Sequence, residues 1–389
     1  MNPIKELSPA DYNKIFELSQ FAFQYKLSEA DLLKKKEEAD RHTIWGWMEE
    51  EEIAAKLHLI PLSVYINGKT FDIGGISSVA TWPEYRRNGM VKDLLAHALK
   101  YMKENGQTLS YLHPFSVPFY RRFGWEVAFD EKHYTIPMEA LKQKWDTAGC
   151  VRRTPVNIEL FHTIYTDFAK QFNGALTRDE KWWKQRVLAK DTMMAVCYDD
   201  RNQAEGYIFY NVKDKQFEVK EFVYLSLNGW KLLLNFIANH DSMANEVKMV
   251  VPENDKLPLL IDEPRFKQTI EPYFMARIVD VPGFLSIYPF EELPDVSMQL
   301  HVEDSFVPEN SGTYEISGTD GNVTISNLNT NLSGSEGMHC TVQQLTSMLL
   351  GYKRPQELAE LELIYGDRHT IEKMEKLIPM KQTFFADYF

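Results

Sequence analysis

Residues 79–95 read VATWPEYRRNGMVKDLL. The stretch carries the end of a β-type run into the start of an amphipathic helix, through a short loop with two arginines and a glycine. Amides at a helix start have no acceptor in the helix and carry partial positive charge, which makes an anion site. Gly89 lets the backbone come close to a diphosphate, and Arg86 and Arg87 add formal charge. From Val79 to Trp125 seven Lys and Arg stand against three Asp and Glu, a local +4 within a chain of net charge −13. On spacing alone the loop is either a polyanion-binding turn or a solvated arginine pair.

Upstream, IAAKLHLIPLSVYI (53–66), Asn67-Gly68 and KTFDIGGISSVATW (69–82) read as a β-hairpin with its preferred two-residue turn. Downstream, GMVKDLLAHALKYMKENG (89–106) puts Val91, Leu94, Leu95, Ala98, Leu99 and Met102 on one helical face, and Asn105-Gly106 ends it. TLSYLHPF (108–115) reads as a buried strand, followed by the aromatic cluster PFYRRFGWEV (118–127). The order is that of a mixed α/β domain over residues 1–147.

A second unit, 148–288, repeats the rhythm more faintly. QAEGYIFYNVKDKQFEVKEFVYLSL (203–227) reads as two strands, NGWKLLLNFIANH (228–240) as a helix and EVKMVVP (246–252) as a strand. Its helix start has a glycine but no arginine before it, so phosphate charge would go uncompensated and the unit reads as structural. The third unit, 289–389, is α+β. SMQLHVED (297–304), GTYEISGTDGNVTISNL (312–328) and NTNLSGSEGMH (329–339) are strands and turns; helical patterns run through 341–352, 354–364 and 369–378.

Composition bounds the class. Hydrophobic content of 44% and charged content of 25% are ordinary globular values. No apolar run approaches the roughly 18–20 residues of a membrane span. MNPIKELSPADYNKIF at the N-terminus has no apolar signal core, so a cytoplasmic protein is expected. Cys150, Cys197 and Cys340 stand apart, without disulfide or zinc spacing, and no metal is expected. The negative charge argues against nucleic-acid binding and suits a cationic substrate.

ATWPEYRRNGM (80–90) resembles motif A of the GNAT acetyltransferases, whose R/Q-x-x-G-x-G/A loop holds the pyrophosphate of acetyl-CoA. Arg86 and Gly89 match the first arginine and glycine of that motif, while Val91 stands where most members have glycine or alanine. The RRxG(M/L) form resembles one branch, the Eis (enhanced intracellular survival) acetyltransferases. PFYRRFGWE (118–126) is similar to that family's Y-x-R-F-G-(Y/W) segment, MARIVDVPGFL (275–285) to its domain-joining segment, and FFADYF (384–389) closes on phenylalanine as the family does. The resemblance implies tandem GNAT domains, mixed sheets flanked by helices, followed by a sterol-carrier-protein-like α+β domain. It also implies one acetyl-CoA per chain, held by Val79, Ala80, Thr81, Arg86, Arg87, Asn88, Gly89, Met90, Val91 and Lys92, with Phe115 and Ser116 as a second contact.

Acetyl transfer needs a neutral amine, a stabilised oxyanion and a proton for the departing thiolate. By the resemblance Tyr120 is the general acid and the α-carboxylate of Phe389 the general base. A free α-carboxylate titrates near ~3.5, so it is ionised at neutral pH. The aromatic residues of FFADYF would anchor that end, at roughly 1.5–3 kcal/mol for each large side chain fully buried. Glu84 reads as surface; His113 is either catalytic or a hydrogen-bonded core residue. Phe21, Phe23 and Tyr25, with WGWMEE (45–50), are expected at the acceptor pocket by resemblance in placement. Where family members carry an acidic residue beside the last one, this chain has Tyr388, with Asp387 one further back.

The family acetylates amines of polycationic small molecules, aminoglycosides being its usual assay substrates, and assembles as hexamers. Direct transfer in a ternary complex is expected, since no cysteine is placed as an acyl carrier. Two alternatives stand beside this reading. One is another acyl-CoA N-acyltransferase of the N-myristoyltransferase kind; the other is a non-enzymatic lipid or ligand carrier.

Overall fold

The computed structural model describes residues 3–188, 192–291, 295–319, 322–328 and 337–389, so 329–336 of the Ser/Gly/Asn-rich stretch 329–339 lies outside them. The first strands are β1 (Ile4–Glu6), β2 (Thr43–Glu49), β3 (Glu52–Ile66), β4 (Lys69–Thr81), β5 (Leu109–Leu112) and β6 (Glu126–Val127). Helices α1 (Tyr12–Ala22) and α2 (Glu29–Ala39) follow β1, α3 (Met90–Glu104) joins β4 to β5, and α4 (Val117–Arg121) joins β5 to β6. The β3–β4 turn holds Asn67 and Gly68 at φ of 47° and 77°, the sign a tight hairpin requires at both positions. Helix α3 buries Met90, Leu94, Leu95, Ala98, Leu99 and Met102 against the sheet, with Val91 at the margin.

Eight more strands follow: β7 (Asp130–Pro137), β8 (Cys150–Arg153), β9 (Met193–Tyr198), β10 (Ala204–Lys213), β11 (Gln216–Tyr224), β12 (Glu246–Val251), β13 (Lys267–Pro272) and β14 (Met275–Ile278). The first sheet runs β1-β2-β3-β4-β5-β14-β6 and the second β13-β7-β12-β11-β10-β9-β8. The two sheets therefore exchange strands, and they do not divide at residue 147. β7, read as part of the first unit, lies inside the second sheet; β14, read as part of the second unit, lies between β5 and β6. Periodicity marks a segment as a strand but says nothing about its partners, and here Met275 pairs with both Leu112 and Val127.

The third sheet, β17-β16-β15-β18-β19, is built from β15 (Asp295–Glu303), β16 (Gly312–Thr319), β17 (Asn322–Asn327), β18 (Met338–Thr341) and β19 (Tyr365–Gly366). Its helix Val342–Leu350 packs into one hydrophobic core with β3, β4, β5 and β14. Two polar contacts pin this docking. Ile278 donates its amide to Thr346 Oγ1 at 3.0 Å, and Arg277 forms a buried ion pair with Asp304 while donating to the Phe123 carbonyl. Burial pulls the Arg277 guanidinium down to about 10, with Asp304 opposing that shift. Removing either partner would strand a buried charge, a loss on the order of 3–5 kcal/mol.

Candidate active site

β4 and β5 pair in parallel only from Ile73–Leu109 to Ile76–Leu112. β4 continues to Thr81, and its pairing with β3 slips by one residue: His58 faces Ser77 while Lys56 faces Ala80. The extra residue is accommodated by Ser78 at φ 50°, an uncommon conformation for a residue with a Cβ. The bulge bends β4 away, so a fork opens between Ser77–Thr81 and the chain leaving β5.

At the end of β4 a single turn, Pro83–Tyr85, leads to Arg87 at φ 70° and Gly89 at φ 82°. The first helical bond of α3 runs from the Asp93 amide to the Gly89 carbonyl at 3.1 Å. The amides of Met90, Val91 and Lys92 consequently have no acceptor in the helix, and no side chain caps them. A Cβ placed on Gly89 would meet nothing within 4 Å, so the space before the helix start is open. Arg86, Arg87, Asn88 and Lys92 are exposed, and among the described residues no carboxylate pairs with Arg86, Arg87 or Lys92. Met90 turns its side chain into the core and offers only its amide; Val79 and Thr81 are half-buried and Ala80 buried. These are features of an unspent anion site.

Beyond β5, Ser116 stands at the start of α4, and Phe115, 71% exposed, holds its ring 5.0 Å from Phe119 and 5.4 Å from Tyr120. Tyr120 is buried, its ring 6.3 Å from that of Trp125. Burial pushes its pKa well above the ordinary tyrosine value.

The end of the chain arrives at the same fork. The Phe389 ring lies on Gly75, where a Cβ would come within 2.7 Å of its Cε2, so only glycine admits it. Phe274, at 5.0 Å between ring centroids, and Trp182, at 6.3 Å, complete its walls. Gly75 pairs with Tyr111, one step before β4 and β5 part. Tyr388 sets its ring 5.2 Å from that of His113, the first residue past β5. His113 is exposed on one side, and partial burial lowers its pKa, favouring the neutral imidazole.

Asp387 anchors the segment. Its carboxylate accepts from Arg178 Nε at 3.0 Å and from Trp182 Nε1 at 2.7 Å, and its carbonyl accepts from the Tyr273 hydroxyl at 2.9 Å. Arg178 also pairs with Glu221 at 2.7 Å and lies 3.9 Å above the Tyr165 ring. The acidic residue near the end of the sequence is thus committed to holding the tail and has no face toward an acceptor. An aromatic-rich end was legible as an anchor; the buried ion pair within it was not.

The expected acceptor residues divide. Phe21 and Phe23 are half exposed, and Phe21 packs on Trp82 at 4.7 Å, beside the Arg86–Gly89 loop. Tyr25 is partly buried. Trp45 corrects the reading of WGWMEE: it is buried under α3, 5.0 Å from both His97 and Tyr101, and Trp47 packs on the same face. Strand alternation sends both tryptophans to the α3 side. Two residues of the fork escaped attention, Lys56 and His58, both fully buried in β3. Their signal was a lysine and a histidine inside the apolar run IAAKLHLIP.

A cavity of ≈470 Å³ is lined by Leu62 and Trp182 together with Arg41, Asp72, Gln107 and Arg178. A smaller one of ≈200 Å³ is lined by Phe222, Val223 and Val250 of the second sheet and by Phe384 and Ala386. Neither lining includes the Arg86–Gly89 loop.

Similarity to known proteins agrees with this layout. Residues 3–128 and 174–278 each match an acetyltransferase (GNAT) domain, and residues 281–386 match a sterol carrier protein domain. The chain is 24% identical over 268 residues to an uncharacterized N-acetyltransferase of Streptomyces griseus, covering 61% of this chain and 64% of that one. It is 25% identical over 254 residues to the N-acetyltransferase Eis of Mycobacterium tuberculosis, covering 59% and 61%. These matches span less than two thirds of the length of either relative. The solved structure of a conserved protein of unknown function from Enterococcus faecalis V583, a probable N-acyltransferase, superposes with a TM-score of 0.93, 26% identity and 99% coverage of both chains. No helix among the described residues is long and apolar enough to cross a membrane. The chain is a homologue of the Eis N-acetyltransferases, built from two GNAT domains and a sterol carrier protein domain.

Proposed function

We propose that this protein is an acetyl-CoA-dependent N-acetyltransferase acting on amines of polycationic small molecules, aminoglycosides among them, in a cytoplasmic hexamer. One combination of observations carries the reading: the first sheet forks between β4 and β5, an uncapped helix start follows the end of β4, and the Phe389 ring lies on Gly75 just before the strands part. Bound there, acetyl-CoA would supply the acetyl thioester. Arg86, Arg87 and the amides from Asn88 to Lys92 would hold its phosphates, with the β4 edge from Val79 to Thr81 and Phe115–Ser116 on the two sides of the fork.

Tyr120 is suited to donate, since burial keeps its hydroxyl protonated. A carboxylate at Phe389 would be the acceptor. It need not deprotonate a ground-state ammonium, because the nitrogen becomes far more acidic after attack. The exposed rings of Phe21 and Phe23 and the net charge of −13 favour an organic cation as acceptor.

Calorimetric titration with acetyl-CoA, followed by thiol release across a panel of cationic amines, tests this. One site per chain and turnover with polyamines or aminoglycosides are expected; light scattering reads the assembly. Faster turnover with long-chain acyl-CoA would move the protein toward the N-myristoyltransferase kind. Co-purifying lipid without acetyl-CoA binding would make it a carrier.

A further inference from the structure

Lys56 lies in the middle of β3 with none of its surface exposed. Its Nζ donates to the Ser78 carbonyl at 2.9 Å and sits 3.2 Å from His58 Nε2, while His58 Nδ1 sits 3.2 Å from His42 Nδ1. Among the described residues no carboxylate pairs with this amine. The charged and titratable groups around the chain of three are basic: Lys35 of α2, Arg41 before β2, and Arg186. The neighbouring acids are taken, Glu38 by Lys35 and Arg186, and Asp179 by Arg41. An amine without a counter-ion in such surroundings opposes folding, and an apolar side chain of the same length would pack there at lower cost.

What the amine does hold is the carbonyl of Ser78, the residue at φ 50° whose bulge opens the fork. We propose that Lys56 is a positioning residue for the cofactor: by fixing the Ser78 bulge it sets the opening between β4 and β5 that receives acetyl-CoA. The inference rests on the acetyl-CoA reading above. Burial draws the lysine down to about 7, yet neutral and charged amine both carry an N–H for the carbonyl, so the hold persists across neutral pH.

The test is a comparison of wild type, Lys56→Met and Lys56→Gln, each measured for thermal unfolding, acetyl-CoA affinity, KM and kcat. Lys56→Met removes the donor and shortens the side chain by one atom; its Kd and KM for acetyl-CoA should rise about tenfold, the size of one lost hydrogen bond, while Tm holds or rises. The loss should fall on KM and not on kcat. Lys56→Gln, shorter by the same one atom but still a donor, should lose less. In a Ser78→Gly background, where glycine takes φ 50° unaided, the effect of Lys56→Met should shrink. Wild-type affinity in Lys56→Met, or a fall in Tm and kcat along with affinity, overturns the proposal. Should Lys56→Met not fold, Lys56→Gln decides: weakened affinity at unchanged Tm supports it, and wild-type affinity overturns it. Failure of the wild type itself to bind acetyl-CoA would instead remove the reading on which this one stands.

Discussion

The two GNAT halves repeat one plan and finish it differently at the same place. In the first, α3 starts without a cap behind two exposed arginines. In the second, the helix Leu227–Ala238 starts two residues after β11, and the Ser226 hydroxyl takes the Gly229 amide at 2.9 Å. No arginine or lysine stands between Tyr224 and Gly229. Gly229 serves packing there, since a Cβ would lie 2.8 Å from the Glu205 carbonyl. β11 and β12 also part, after Glu218–Lys248, but Phe384 and Ala386 of the tail line the gap. An anion site is therefore a matter of donors left unpaired. On the proposed reading, the capping hydroxyl and the missing guanidiniums leave the second half without an anion site, and residues of the chain's own end line its fork.

That contrast can be broken at several points. Appending Gly-Ser-Gly after Phe389 should lower kcat about a thousandfold while acetyl-CoA affinity stays within about twofold, because the negative group is moved and the cofactor site is not. An extended protein with unimpaired turnover would dissociate the tail from catalysis and turn attention to His113. Asp387→Asn should cost about 3 kcal/mol in chemical denaturation, since it leaves Arg178 only partly compensated in a buried site. Tyr120→Phe should reduce kcat about a hundredfold with acetyl-CoA binding retained; equal turnover would remove the hydroxyl from the mechanism.

Arg86→Ala combined with Arg87→Ala should weaken acetyl-CoA about tenfold at low salt, with a difference that narrows as ionic strength rises. The matching change in the second half, Ser226→Ala, should cost about 1 kcal/mol of stability and leave acetyl-CoA affinity alone. If Ser226→Ala instead created a second acetyl-CoA site in calorimetry, capping alone would account for the silence of that half.

Local chemistry was legible in the sequence where it is self-contained. The Asn67-Gly68 hairpin, the buried face of α3, the Asn105-Gly106 stop and the Arg86–Gly89 loop each state their geometry within a few residues. The residues that complete the site do not. Lys56 matters through a carbonyl 22 positions away, Gly75 through a phenylalanine at the other end of the chain, and Asp387 through an arginine of the second half. Trp45 and Trp47 misled for a related reason, since an aromatic pair near a predicted site does not reveal which face of its strand it occupies. Pairing partners were equally hidden, and with them the exchange of β7 for β14.

The exchanged strands constrain how the molecule is made. Residues emerge from the ribosome in order, yet the gap between β5 and β6 stays empty until Met275–Ile278 has been translated. The N-terminal unit cannot mature on its own, its interior edge waits exposed while some 150 further residues are added, and a fragment cut at the boundary read from sequence would carry β7 without either of its neighbours.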